Sequence, residues 1–129
     1  MDHLSEVTPG QCWSGYGFTL TVTKSDALRA TIRLAGDLDL ASAQVLTAAL
    51  EHELASGRRY LRLDLSGLAF LDSAGIEALL AAHWSFLARR GTVILLGLTR
   101  TAKRLMALTA SDRVLLFAAD QRLSAVPVA

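Results

Sequence analysis

One cysteine, two prolines and no apolar stretch approaching the ~18 residues that cross a bilayer set the first limits on this 129-residue chain. Cys12 alone cannot close an internal disulfide, and no second cysteine or histidine stands near it at metal-ligand spacing, so a reducing compartment and no metal or other cofactor are expected. Charge of one sign is missing as well. Thirteen basic residues against twelve acidic ones leave +1, which removes the diffuse attraction that drives nucleic-acid binding, and neither DNA nor RNA is expected as a partner. The amino end holds Asp2 and Glu6 where a secretory signal would begin basic and turn apolar. A cytoplasmic protein without direct membrane insertion is the resulting expectation.

What is present is a large apolar fraction, 52% against 19% charged, enough to build one well-packed core in a chain of this length. Residues 1–15, with Pro9, Gly10 and Gly15, read as an irregular leader, and residues 16–129 as a single domain. Phe18, Leu20 and Val22 alternate with threonines, and Ile32 and Leu34 alternate with Thr31 and Arg33, which predicts two strands paired as an antiparallel hairpin across the polar turn Lys24-Ser25-Asp26. Leu46, Leu50 and Leu54 then fall four apart, the spacing of a helix face, with Asp39 as a plausible cap and Gly57 as a stop.

Leu61, Leu63 and Leu65 alternate again and predict a third strand ending near Gly67. Ile76, Leu79, Leu80, His83 and Leu87 repeat at helical spacing up to Gly91. Val93 to Leu98 is apolar almost throughout, as in a strand covered on both faces at the centre of a sheet. A shorter helix over 101–110 presents Leu105 and Leu108, a last strand falls at 114–117, and a weak helical pattern covers 120–126. The fold class is α/β: about five strands, the first pair antiparallel and the rest mostly parallel, with about four helices packed against the sheet.

In such sheets the functional spot lies where strands end and helices begin. The loop after the third strand reads Phe70-Leu71-Asp72-Ser73-Ala74-Gly75-Ile76, which places Ser73 in the first turn of a helix, where unpaired N–H groups favour negative charge. Gly75 leaves that turn uncrowded for an approaching protein. Local sequence alone equally suits Ser73 as a helix cap, and Asp72 and Asp37 as residues that brace turns.

Three motifs in register give this chain a likeness to a known family: Gly36-Asp37-Leu38-Asp39 after the second strand, Leu63-Asp64-Leu65 in the third, and Asp72-Ser73-Ala74-Gly75 opening the second helix. The chain resembles the STAS domain family over roughly residues 16–126, and within it the anti-sigma factor antagonists. That resemblance implies a partner-switching cycle. The antagonist binds an anti-sigma factor that is also an ATP-binding serine kinase, the kinase phosphorylates the serine and releases it, and a serine phosphatase resets it. Ser73 matches the phosphorylated serine, and Asp37, Asp39, Asp72, Ser73, Ala74, Gly75 and Ile76 form the implied partner-binding set. Ala74 departs from the many members that have Ser or Thr there, which leaves Ser73 as the sole acceptor.

Other readings compete with this one. Ser73 lacks a glycine two residues before it and has no evident His–acid pair, so a nucleophile elbow is not formed, and no phosphate-binding glycine loop occurs elsewhere; the chain is not expected to be an enzyme. A STAS subunit of a membrane lipid-transport ATPase, or an interaction module that is never phosphorylated, would share the fold. Asp64 reads as structural, His83 as a core or boundary histidine, Trp84 and Phe86 as packing residues or contributors to a protein interface, and Arg89-Arg90 as a solvated helix end.

Overall fold

Alternation of apolar and polar residues produces the sheet directly. In the computed structural model, which describes residues 11–118, β1 spans Cys12–Gly15, β2 Phe18–Ser25, β3 Arg29–Leu38, β4 Tyr60–Leu71, β5 Thr92–Leu96 and β6 Leu116–Phe117. Helices α1 (Leu40–Ala55), α2 (Ser73–Ala88) and α3 (Arg100–Leu108) separate the later strands, with a short 3-10 turn at Ser111–Arg113. The six strands lie in chain order across one sheet, antiparallel from β1 to β3 and parallel from β3 to β6.

Each parallel step moves one strand further in the same direction. Right-handed crossovers repeated that way put every connecting helix on the same side of the sheet. Burial agrees: Phe18, Leu20, Val22, Ile32, Leu34, Leu61, Leu63 and Leu65 join Leu46 and Leu50 of α1, Leu79 and Phe86 of α2 and Met106 of α3 in one core. Each such side chain, fully buried, contributes about 1.5–3 kcal/mol. At the carboxyl end of α1 a charged pair is sealed in as well, Glu53 to Arg58 at 3.3 Å. Burial pushes the Glu53 carboxyl up from its ordinary value, and the Arg58 charge opposes that rise.

Four expectations need correction. Residues 12–15, read as leader, form the edge strand β1, because Tyr16 and Gly17 both take positive φ, 57° and 74°, and make the mirror-image two-residue turn whose twist suits a hairpin. Strand β4 runs on past Gly67 to Leu71, its pairing with β3 interrupted by register shifts between Arg33 and Ala35 and between Gly36 and Asp37. Among the described residues β5 is second from the edge of the sheet, not central, with the two-residue β6 beyond it. Helix α3 buries Ala102 and Met106, while Leu108 is 77% exposed. The described residues hold six strands and three α-helices; the helical pattern over 120–126 lies outside them.

Candidate functional site

The pairing of β3 with β4 brings two of the three motifs together. Asp37 stands opposite Phe70 and Leu38 opposite Leu71, so both strands end side by side and each passes into a helix within two residues. Each helix is capped by the aspartate that precedes it. Asp39 Oδ1 accepts from the Ser42 N–H at 3.0 Å, and Ser42 Oγ accepts from the Asp39 N–H at 2.9 Å, closing a reciprocal capping box. Those bonds, the Ser42 N–H first, hold the Asp39 carboxyl below the usual aspartate range. Asp72 Oδ1 accepts from the Gly75 N–H at 3.0 Å and caps α2.

That cap takes the capping role away from Ser73. Asp72 performs the capping, Ser73 is the first helical residue, and its side chain is exposed with no hydrogen-bond partner among the described residues. Around it, residues 67–82 include the acids Asp72 and Glu77 and no basic residue. Helix α2 therefore presents an exposed hydroxyl next to the capping Asp72 and about one helical turn before the exposed Glu77.

The other expected partner residues divide. Ala74 is half-buried, and so are Asp37, Asp39 and Asp72. The Asp37 carbonyl accepts from Ser42 Oγ at 2.6 Å, and its carboxylate lies toward the β1–β2 turn, with Oδ2 3.8 Å from where a Cβ on Gly17 would stand. Gly75 and Ile76 are buried. A Cβ on Gly75 would stand 2.6 Å from the Leu38 carbonyl oxygen and 2.8 Å from Leu71 Cδ1, so this glycine lets α2 close onto β3 and β4; it does not open space for a partner. Ile76, 2% exposed, anchors the helix to the core.

Two apolar residues on this end escaped the sequence reading. Leu40, the first residue of α1, is 77% exposed, and Phe70 is 51% exposed. Leu40 shares a shallow depression with Asp39, Gln44, Thr47 and Asp72. Their signal was negative: Leu40 falls outside the Leu46-Leu50-Leu54 stripe, and Phe70 follows the point where alternation in β4 breaks.

The remaining candidates are settled by their surroundings. His83 is buried, edge-on to Trp84 at 4.8 Å; Phe86 is fully buried, whereas Trp84 is 54% exposed. Asp64 Oδ1 accepts from the Ser66 N–H at 2.9 Å. Among the described residues no His, Cys, Asp and Glu side chains cluster as a metal site, and no helix is long and apolar enough to cross a membrane.

A sheet of this order with its helices on one face has the STAS fold, and the family model for the STAS domain matches residues 19–122. The chain belongs to the STAS domain family. Solved structures agree with the fold. The anti-sigma factor antagonist SpoIIAA in its unphosphorylated form superposes with a TM-score of 0.70 at 19% identity, over 84% of this chain and 95% of that one. The phosphorylated form of the Bacillus protein gives 0.64 at 19%, over 85% and 99%. An anti-sigma factor antagonist from Mycobacterium paratuberculosis gives 0.71 at 24%, over 85% and 94%. The murine anion transporter Slc26a9 also matches, with a TM-score of 0.57 at 18% identity, over 67% of this chain but 14% of the transporter.

Proposed function

We propose that this chain is an anti-sigma factor antagonist whose partner, an anti-sigma factor with serine-kinase activity, docks over the amino ends of α1 and α2, and that phosphorylation of Ser73 ends the docking. The observation that carries this reading is the exposed, unbonded hydroxyl of Ser73 beside an aspartate that already caps the helix. Exposed Leu40 and Phe70 give a partner apolar surface to cover, as protein interfaces require at their centre. The likeness to SpoIIAA, solved in unphosphorylated and phosphorylated forms, supports the same assignment.

Charge makes the switch. A phosphate on Ser73 adds about −1.5 to −2 at neutral pH to a surface that holds Asp72 and Glu77 and no nearby base in sequence. Covering that charge without a cation would weaken docking about a hundredfold, or roughly 2.7 kcal/mol. The helix itself tolerates the phosphate, because its amino end favours an anion by about 0.3–1 kcal/mol. Binding changes, then, while the backbone stays in place. A serine phosphatase would restore the docking surface.

The test is recovery of the chain from native cells, followed by mass spectrometry of the bound protein and of Ser73. A sigma-regulating kinase, retained only by chains unmodified at Ser73, is the expected result. A membrane transport complex retained irrespective of Ser73 would instead establish the fixed-contact role that a STAS unit can have within a larger transporter.

A further inference from the structure

The three helices share one face of the sheet, so the opposite face carries a pattern of its own. Thr31, Arg62 and Ile94 stand in register across β3, β4 and β5, and Ile94 is buried although it lies outside the main core. Two residues earlier, Arg29, Tyr60 and Thr92 form a second row, with Tyr60 37% exposed. A groove of about 410 Å³ opens over these rows, and Lys24 and Asp26 also line it. It sits at the starting ends of the parallel strands. Ser73 follows the far end of β4, about 35 Å away at ~3.3 Å per residue.

Charge and shape in this groove agree on one kind of occupant. Lys24 and Arg29, both exposed, stand here with the acid Asp26. The Asp26 carboxylate is turned to its own backbone, accepting from the Leu28 N–H at 2.9 Å and the Arg29 N–H at 2.8 Å, which keeps it ionised and occupied. The Tyr60 ring, 37% exposed and next to Arg29 in the register, supplies apolar surface beside the cations, and the volume falls in the range of small-molecule sites, about 300–1,000 Å³. We propose that this groove binds a small organic anion with a flat apolar body, the acid group held by Lys24 and Arg29 and the body laid against Tyr60. It is a second site, independent of the reading of Ser73.

Titration of the isotopically labelled full chain with naphthalene-2-sulfonate, followed by amide NMR, tests this. Saturable shifts confined to residues 24–31, 60–62 and 92–94 are expected, with the uncharged 2-naphthylmethanol weaker by about tenfold. The double variant Lys24→Ala/Arg29→Ala should lose about tenfold for the sulfonate and nothing for the alcohol, since two exposed charges contribute roughly a kcal/mol between them. Both side chains are exposed, so the variant keeps its fold. Ser73→Asp should bind the sulfonate as the native chain does. Shifts scattered over the surface, equal binding of the alcohol, or an unaffected double variant would each overturn the site.

Discussion

The two helices that begin side by side at the carboxyl ends of β3 and β4 are capped alike and used differently. Both open with an aspartate whose Oδ1 accepts from the N–H three residues on, and both carry a serine in the first turn. In α1 the serine is the third helical residue: Ser42 is 0% exposed, returns a hydrogen bond to the Asp39 N–H and donates to the Asp37 carbonyl. In α2 the serine is the first helical residue, and Gly75 occupies the third. Position relative to the cap, not residue type, separates a hydroxyl locked into the fold from one left exposed.

The sharpest way to break this comparison is to delete each hydroxyl. Ser42→Ala takes from the half-buried Asp39 N–H and Asp37 carbonyl the partner they share and should cost about 1–3 kcal/mol of stability, whereas Ser73→Ala should change stability by less than about 0.5 kcal/mol. Urea unfolding of the two variants measures both, and equal losses would erase the distinction. Next in size, Ser73→Asp should weaken the kinase complex by at least about tenfold, or ~1.4 kcal/mol, with Ser73→Ala binding as tightly as the native chain; titration calorimetry reads the difference.

The caps themselves predict smaller effects. Asp72→Ala removes the acceptor for the Gly75 N–H and should cost about 1 kcal/mol, visible as a lowered urea midpoint. Smallest is a pH effect. The Asp39 carboxyl titrates below its unfolded value of 3.8, so its contribution is present above that pH and lost as pH falls through the folded value. Asp39→Asn should flatten that part of the acid limb of a stability–pH curve. Glu53 acts with opposite sign: its pKa is raised above 4.5, so its contribution is full below 4.5 and lost as pH rises.

Much of this arrangement was legible beforehand because it rests on local periodicity. The alternation of Phe18, Leu20 and Val22 in β2, the leucines of β4 and the four-residue spacing in α1 each reflect one buried face, and the structure buries those faces. What escaped depends on partners far away in sequence. Gly75 reads as open space until Leu38 is seen against it, and β5 reads as central because local hydrophobicity does not reveal how many strands lie beyond it. Strand β1 was hidden by Gly15 and Gly17, which resemble loop residues although Gly17 sits in the hairpin turn. Leu40 and Phe70 belong to no periodic face, so only their exposure beside Ser73 marks them.

The central claim is that a charge placed on Ser73 acts on docking and not on the fold. The most direct measurement compares fully Ser73-phosphorylated and unmodified chain, by affinity for the kinase recovered from native cells and by amide hydrogen exchange along α2. A loss of affinity of about a hundredfold with unchanged protection of α2 is the result this account predicts. Equal affinities, or an α2 that opens on phosphorylation, would contradict it.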